Sequence, residues 1–477
     1  MIDKCQFDIP AQNLAKVANA LHQRFPDLID PSIEQIIQNS KPEGELKGCI
    51  QLKNSPENQT FRLELAQGKY WWLGREHDVS NFTFEKDLQN IKAVLKYKIE
   101  DHPCWLFMKS EGQTLARGQV ILSDKYTDLL ASPDISRSVI VEWVRTPQGF
   151  DIQKAFGNFA GLTVDLVKSP SPLRASTESF PLRGRVAVAL DQAYNIMTPN
   201  VKELLNTWKV EKNFNFVGQW QINRNPKNGF FSFQGNMTGQ NIHFNGYKLD
   251  LLQADCTYSS DKIELNNLIV QDPAGSLEVN SIKCELNAEG RRALSMGRCH
   301  VTNWHPSLMR GVGQPQKPAS QLVVNQLKIE QLKGYVDDPN GITAKGELTF
   351  NKHTRRISHN PLIVIPTEII TRIGLDPATL TPFSGGLYFD IQGNKIVFTK
   401  FKDIYSEGRM SKFNLAKTSS PSYMDFDGKL NLKIRMKHYN LLFKLGELFT
   451  FNVKGTFQKP EYSIRKQSRK GKSFAKK

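Results

Sequence analysis

Strict alternation of apolar and polar residues over long stretches is the feature that most limits how this chain can fold. Residues 424–436, "MDFDGKLNLKIRM", alternate over thirteen positions, and residues 449–458, "FTFNVKGTFQ", do the same near the end of the chain. Successive side chains of a strand point to opposite faces, so both stretches predict strands with one apolar face. At about 3.3 Å per residue, the first stretch predicts a single strand of about 40 Å.

A weak internal repeat organises the rest of the sequence. Pro31, Pro199 and Pro366 are spaced by 168 and 167 residues. Each is followed by an amphipathic stretch suited to a short helix, since proline is well tolerated at the first helical position. A glycine and an alternating stretch follow each helix. The pattern predicts a mainly β fold: an elongated, curved antiparallel sheet or groove of about three repeats, with short helices at the repeat boundaries. The predicted divisions are 1–180, an N-terminally shortened first repeat; 181–345; 346–464; and a basic, disordered tail at 465–477.

Composition allows a substantial core but gives little direct information about chemistry. The chain has 477 residues, 39% of them hydrophobic, with 63 Lys and Arg against 47 Asp and Glu, for a net charge of +16. Seven of the cations and no acid lie in residues 465–477, "RKQSRKGKSFAKK". Such a tail could bind phosphate on lipid headgroups or on nucleic acid, or could simply be solvated. The tail residues that we assign to a membrane surface are Arg465, Lys466, Arg469, Lys470 and Lys472.

No pattern in the sequence predicts catalysis. GxSxG, HExxH and GxGxxG are absent, and the six cysteines form no CxxC pair. "CHVTNWH" at 299–305 lacks a suitably spaced fourth ligand, and "DFDG" at 425–428 lacks the later ligands of a calcium loop. The sequence therefore predicts a protein that is not an enzyme, with no catalytic residue, metal site or cofactor.

The C-terminal part of the chain resembles the AsmA-like family, which includes the AsmA and TamB proteins of the Gram-negative envelope. The resemblance covers about 385–464 and lies in "KIVFTKFKDIYSEGRMSKFNLA", "YMDFDGKLNLKIRMK" and the ending "VKGTFQKP". It implies a long curved sheet whose inner face is an apolar groove for phospholipid. Most members carry an N-terminal membrane helix, and no run of 18 apolar residues here would supply one.

The resemblance also implies a role in lipid transport and outer-membrane biogenesis. The expected location is the periplasm or cell envelope of a Gram-negative-type bacterium, in association with a membrane. Phospholipid, the membrane surface and envelope proteins of the inner or outer membrane are the expected partners. Candidate groove residues are apolar positions of the last two alternating stretches: Leu430, Leu432, Ile434, Met436, Phe449, Phe451, Val453 and Phe457. Pro460 is expected to end the last strand and prevent further pairing at its edge.

Two other functions fit the same sequence. The first is a protein-interaction scaffold whose concave face is closed by its own side chains. The second is a nucleic-acid-binding protein that acts through the basic tail. A stacking platform for bases would expose aromatic and basic side chains on one surface. In "KLNLKIRMK" the cations project away from the apolar side, so nucleic acid is not an expected partner.

Overall fold

A computed structural model gives the fold, and it is almost entirely β. It describes residues 2–10, 13, 16, 19–20, 23, 42–55, 58–72, 75–87, 90–99, 102–111, 117–124, 134–146, 149–170, 179–197, 202, 205–206, 210–223, 231–244, 247–305, 322–352, 382–417, 420–426, 429–438, 447–456 and 460–466. The chain divides into two units, and each is described by itself. Unit 1 comprises residues 1–245 and 256–260, and unit 2 comprises residues 246–255 and 261–477.

Unit 1 is an antiparallel meander in which each strand pairs with the next along the chain. Its strands are β1 (Ile2–Pro10), β2 (Pro42–Ser55), β3 (Asn58–Trp72), β4 (Arg75–Lys86), β5 (Ile91–Ile99), β6 (His102–Glu111), β7 (Arg117–Ser123), β8 (Ser138–Thr146), β9 (Gly149–Phe159), β10 (Leu162–Lys168), β11 (Ser179–Ala189), β12 (Glu211–Asn223) and β13 (Phe231–Phe244). A short helix α1 (Leu190–Ala193) and a 3₁₀ turn (Tyr194–Ile196) follow β11. The next strand, β14 (Tyr247–Tyr258), gives its last three residues to unit 1 and the others to unit 2.

Unit 2 is also antiparallel, but two of its strand positions are filled by interrupted strands. Its other strands are β15 (Lys262–Asp272), β16 (Gly275–Leu286), β17 (Arg292–Met296), β18 (Cys299–Trp304), β19 (Leu322–Tyr335), β20 (Asp338–Lys352), β21 (Pro382–Gln392), β22 (Lys395–Ser406), β23 (Ser411–Leu415), β24 (Ser422–Asp425), β25 (Lys429–His438), β26 (Glu447–Thr456) and β27 (Pro460–Lys466). The pair β17 and β18 lies between β16 and β19, and the pair β23 and β24 lies between β22 and β25.

The structure confirms the predicted fold class of a mainly antiparallel β protein. Several strands are long, and both β3 and β20 have 15 residues. The predicted helices after Pro31, Pro199 and Pro366 begin outside the described residues. The predicted divisions at 180/181 and 345/346 fall inside β11 and β20, and the three-repeat organisation stays a prediction.

The single long strand predicted over 424–436 is wrong. β24 ends at Asp425, β25 begins at Lys429, and the two strands pair as a hairpin. One carboxylate oxygen of Asp425 accepts the backbone N–H of Lys429 at 2.6 Å, which stabilises the turn. Phe426, predicted to lie on the apolar face, is at the turn and is 63% exposed.

The last strand and the start of the tail also differ from the prediction. Pro460 does not stop pairing, because it begins β27, which runs antiparallel to β26. Arg465 and Lys466 lie in this strand, opposite Thr450 and Phe449, rather than in a disordered tail. Proline is compatible with this position because the first residue of a strand need not donate to the ladder. Residues 467–477, with the other predicted tail cations, lie outside the described residues.

Candidate functional site

The candidate site is the apolar face of unit 1, which the strand register lines up across all thirteen strands. Paired residues of neighbouring strands share a face. Row one is the set of consecutive partners Cys5, Ile50, Leu63, Phe84, Ala93, Met108, Val120, Val141, Ala155, Leu166, Gly184, Gly218 and Gly235. Every member is apolar or glycine, so no polar side chain interrupts this row.

A second row runs parallel to the first, two residues away along each strand. Row two comprises Phe7, Gly48, Leu65, Phe82, Leu95, Leu106, Leu122, Val139, Gly157, Val164, Val186, Phe216 and Met237. Apart from Gly157, the members of row two with described side chains are half-buried rather than closed to water. The two rows therefore form a continuous apolar surface. Solvent, or a ligand in its place, reaches it mainly along row two, because Phe84, Ala93, Ala155 and Leu166 of row one are buried.

The opposite face of the same strands carries a polar row. Its members are Lys4, Gln51, Arg62, Glu85, Lys92, Lys109, Gln119, Glu142, Lys154, Val167, Arg183, Gln219 and Gln234, with Val167 the one apolar member. Gln119 donates to Glu142 at 3.2 Å, and Arg62 lies 3.9 Å from Glu85. Along these rows, unit 1 has a polar surface on one side of the sheet and an apolar surface on the other.

The polar face is not polar everywhere. A third set of partners on β5–β9 is apolar on this side: Val94, Phe107, Ile121, Ile140 and Phe156. Ile121 and Ile140 are buried, with Trp105, Phe107 and Phe156 packed against them. The ammonium of Lys154 lies 4.3 Å from the centre of the Phe156 ring, and that of Lys96 lies 4.9 Å from the Trp105 ring. This patch is therefore covered by its own lysines.

The end of the apolar face near β6–β10 is closed by the segment after β11. Cys104 and Phe159 are buried there, and Ile196 of the 3₁₀ turn packs against them together with Leu106 and Val139. The backbone N–H of Ala189 donates to the carbonyl of Gly161 at 2.8 Å, which joins the end of β11 to the turn after β9. Access to rows one and two is thus restricted at this end.

Unit 2 repeats the row pattern on a smaller scale. One of its rows joins seven strands through Val270, Leu277, Val301, Leu327, Leu348, Leu387 and Phe401. A parallel row contains Cys299 and Phe389, and burial raises the pKa of the Cys299 thiol. A Cβ on Gly346 would lie 2.2 Å from the Phe389 ring, so this ring lies over the neighbouring strand at the glycine.

Most of the groove residues predicted from the sequence lie in a closed part of unit 2. Leu430, Leu432, Met436, Phe451 and Val453 are all buried, with Met436 at 0% and Phe451 at 1% exposure. They form two clusters with Phe350, Phe389, Phe398, Ile404 and Phe413, and Ile434 packs against both clusters. A lipid chain at these positions would have to displace packed side chains. The side chain of Phe449 and all of Phe457 lie outside what the structure describes.

The pKa shifts of Glu264 and Cys256 have structural causes. Glu264 lies 2.7 Å from Lys262 and 3.2 Å from Lys283, and these hydrogen bonds lower the pKa of its carboxyl to about 2. Burial raises the pKa of Cys256 to about 11. Cys299 and His300 point to opposite faces of β18, and His300 lies 2.7 Å from the amide nitrogen of Gln326. Within the described ranges, no three His, Cys, Asp or Glu residues come together to hold a metal ion.

Comparisons of the chain with protein-family models, with curated proteins and with solved structures found no match. Among the described residues, no helix has the length and apolarity needed to cross a bilayer. The rows of unit 1 were not predicted from the sequence, because alternation shows which residues of one strand share a face but not which residues pair between strands.

Proposed function

We propose that this chain binds phospholipid on rows one and two and conducts it along the sheet between the inner and outer membranes of a cell envelope. The observation that carries the proposal is an apolar surface that crosses thirteen strands without a polar interruption and whose row two is half-buried at the described side chains other than Gly157. Each acyl CH₂ costs about 0.8 kcal/mol to expose to water. A continuous surface of this kind lowers that cost at every step of a lipid's path. The two-membrane setting follows from the resemblance to the AsmA-like family.

The charge distribution supports the same proposal. The polar row on the opposite face keeps that side of the sheet hydrated, so a lipid is directed to one face only. The alternative of nucleic-acid binding would need free aromatic faces beside cations. On the described strands, Lys96 and Lys154 already lie over the rings of Trp105 and Phe156. Those ring faces are occupied by side chains of the protein itself.

Site-specific photocrosslinking tests the proposal. A photoreactive residue at Val120 of row one should crosslink to phospholipid in cells, while one at Gln119, the adjacent position on the polar row, should not. The two positions are neighbours in β7 and are both half-buried, so they differ chiefly in the face they occupy. Lipid extracted from the purified chain and identified by mass spectrometry gives an independent measure.

The closed clusters of unit 2 favour a second function, the protein-interaction scaffold. A face already filled by its own side chains, as around Phe451, leaves no room for a ligand. If the apolar face of unit 1 is closed in the same way in the working protein, neither Val120 nor Gln119 will crosslink to lipid. The purified chain will then contain no lipid. Crosslinks from Val120 to protein alone would support the scaffold and overturn the lipid proposal.

A further inference from the structure

At one end of the apolar face of unit 1, a further row of partners includes polar side chains, which rows one and two lack. Two residues beyond row one, the consecutive partners on β4–β8 are Lys86, Ile91, Ser110, Gly118 and Trp143. They share the face of row one because each lies two positions from a row-one residue. Lys86 ends β4, and Ser110 is the penultimate residue of β6, so both lie at the margin of the sheet.

Both polar side chains are buried at this margin. Lys86 is 8% exposed and Ser110 is 1% exposed. Among the residues that the structure describes, the Ser110 hydroxyl has no hydrogen-bond partner. Placing a charge and an unpaired hydroxyl in an apolar surface costs free energy, and apolar residues of similar size would avoid that cost. A buried hydroxyl without a partner, such as that of Ser110, is typical of a site that gains a partner when a ligand binds.

The two groups can act on one ligand. Lys86 and Ser110 both flank Ile91, so their backbones are two strand spacings apart, or about 10 Å. The flexible four-carbon stem of a lysine can cover much of that distance. A Cβ on Gly118 would lie 2.3 Å from the Trp143 ring, so the indole lies over the strand beside Ser110. The ring closes the site on that side.

The chemistry of the ligand follows from the donors. An ammonium has three N–H donors and no acceptor, and the serine adds an O–H donor. Lys86 makes a contact of its own within the protein, and its three donors allow a further acceptor. An anionic oxygen group, either phosphate or carboxylate, is the complement of this donor set.

We propose that Lys86 and Ser110 bind the phosphate or carboxylate group of an amphiphile whose acyl chains lie on rows one and two. This inference rests on the proposed function, and it names the polar half of the same site. It makes the groove selective, because amphiphiles with an anionic group close to their chains bind there and neutral ones lose this contact.

The test measures binding of three probes to the delipidated full chain: oleate, dioleoylphosphatidylglycerol and dioleoylglycerol. We expect wild type to bind the two anionic probes about tenfold more tightly than the neutral one, the effect of one charge-assisted hydrogen bond. Lys86→Met should remove this preference, and Ser110→Ala should reduce it. Ser110→Ala should melt at or above the wild-type temperature, because it removes an unpaired buried hydroxyl from an apolar surface.

Matched controls lie on the other face of the same strands. Lys92→Met removes an exposed lysine of the polar row. Ser138→Ala removes an equally buried hydroxyl that also has no partner among the described residues. Both controls should keep the preference for anionic probes. Inorganic phosphate at millimolar concentration should not displace dioleoylphosphatidylglycerol, and displacement would assign the site to free phosphate instead.

The outcomes separate this inference from the proposed function. Equal binding of all three probes to wild type overturns the anionic site and leaves the lipid proposal standing. Binding of none of them overturns the lipid proposal and the site together. A Lys86→Met variant that melts lower and loses all three probes equally shows a structural role for Lys86 and overturns the inference.

Discussion

Phe451→Asp gives the sharpest test of how unit 2 is packed. Phe451 is 1% exposed in a cluster with Phe350, Ile404, Phe413 and Met436. Truncation of a buried phenylalanine to alanine costs about 3–5 kcal/mol. Aspartate adds the cost of a buried, unpaired carboxylate. The sum is comparable to the whole stability of an ordinary domain, about 5–15 kcal/mol.

The assay is urea unfolding of the full chain, followed by circular dichroism at several pH values. We expect Phe451→Asp to lose the unfolding transition of unit 2 at pH 7. Burial raises the pKa of a carboxyl, so the defect should shrink as the pH falls and the new side chain becomes neutral. Val120→Asp, at a half-buried position of row one, is the control and should cost much less. If Phe451→Asp is as stable as wild type at pH 7, this packing is refuted and β25 and β26 line an open groove instead.

Two further predictions concern polar and thiol groups of unit 2. Glu264→Gln should lower the free energy of unfolding by about 1–2 kcal/mol at pH 7, because the folded-state pKa of this carboxyl is depressed to about 2. This contribution is present above the ordinary pKa near 4.5 and is lost as the pH falls toward 2, so the wild-type and variant curves should converge in acid. Glu285→Gln, which removes a more exposed carboxylate, should show a smaller gap, and a gap that does not change with pH would contradict the reasoning. In native protein, iodoacetamide at pH 8 should label half-buried Cys284 faster than buried Cys299, as peptide mass spectrometry can show, and equal rates would disprove the burial of Cys299.

The alternation of apolar and polar residues predicts where strands lie more accurately than where they begin and end. Alternation correctly predicts an antiparallel β protein, and the last strands lie where the pattern puts them. It misses the hairpin after Asp425 because apolar and polar residues keep alternating through the residues that form the turn. The sequence does contain Asp427-Gly428, a dipeptide favoured in hairpin turns, and this signal competes with the alternation. Pro460 was overinterpreted for a related reason, since proline excludes a central ladder position but not a strand's first residue.

The central strands of unit 1 show where alternation stops being informative. "CWLFM" at 104–108 and "VIL" at 120–122 are continuously apolar, so the period of two disappears. The structure explains these runs, because Ile121 is buried on one face while Val120 belongs to row one on the other. A run of this kind indicates a strand with apolar residues on both faces, but the sequence does not say which face remains accessible.

The groove residues named from the sequence stay a prediction, but their surroundings show that one sequence signature has two structural outcomes. Phe451 and Phe216 both lie in strands where apolar residues recur at every second position, and this pattern does not distinguish them. Phe451 is closed off by a cluster of its own unit, whereas Phe216 lies half-buried in row two. The difference is set by what packs against each face, which depends on contacts distant in the sequence. A phospholipid can use a surface that water already reaches at much lower cost than one that must first be unpacked, so rows one and two are the better candidate.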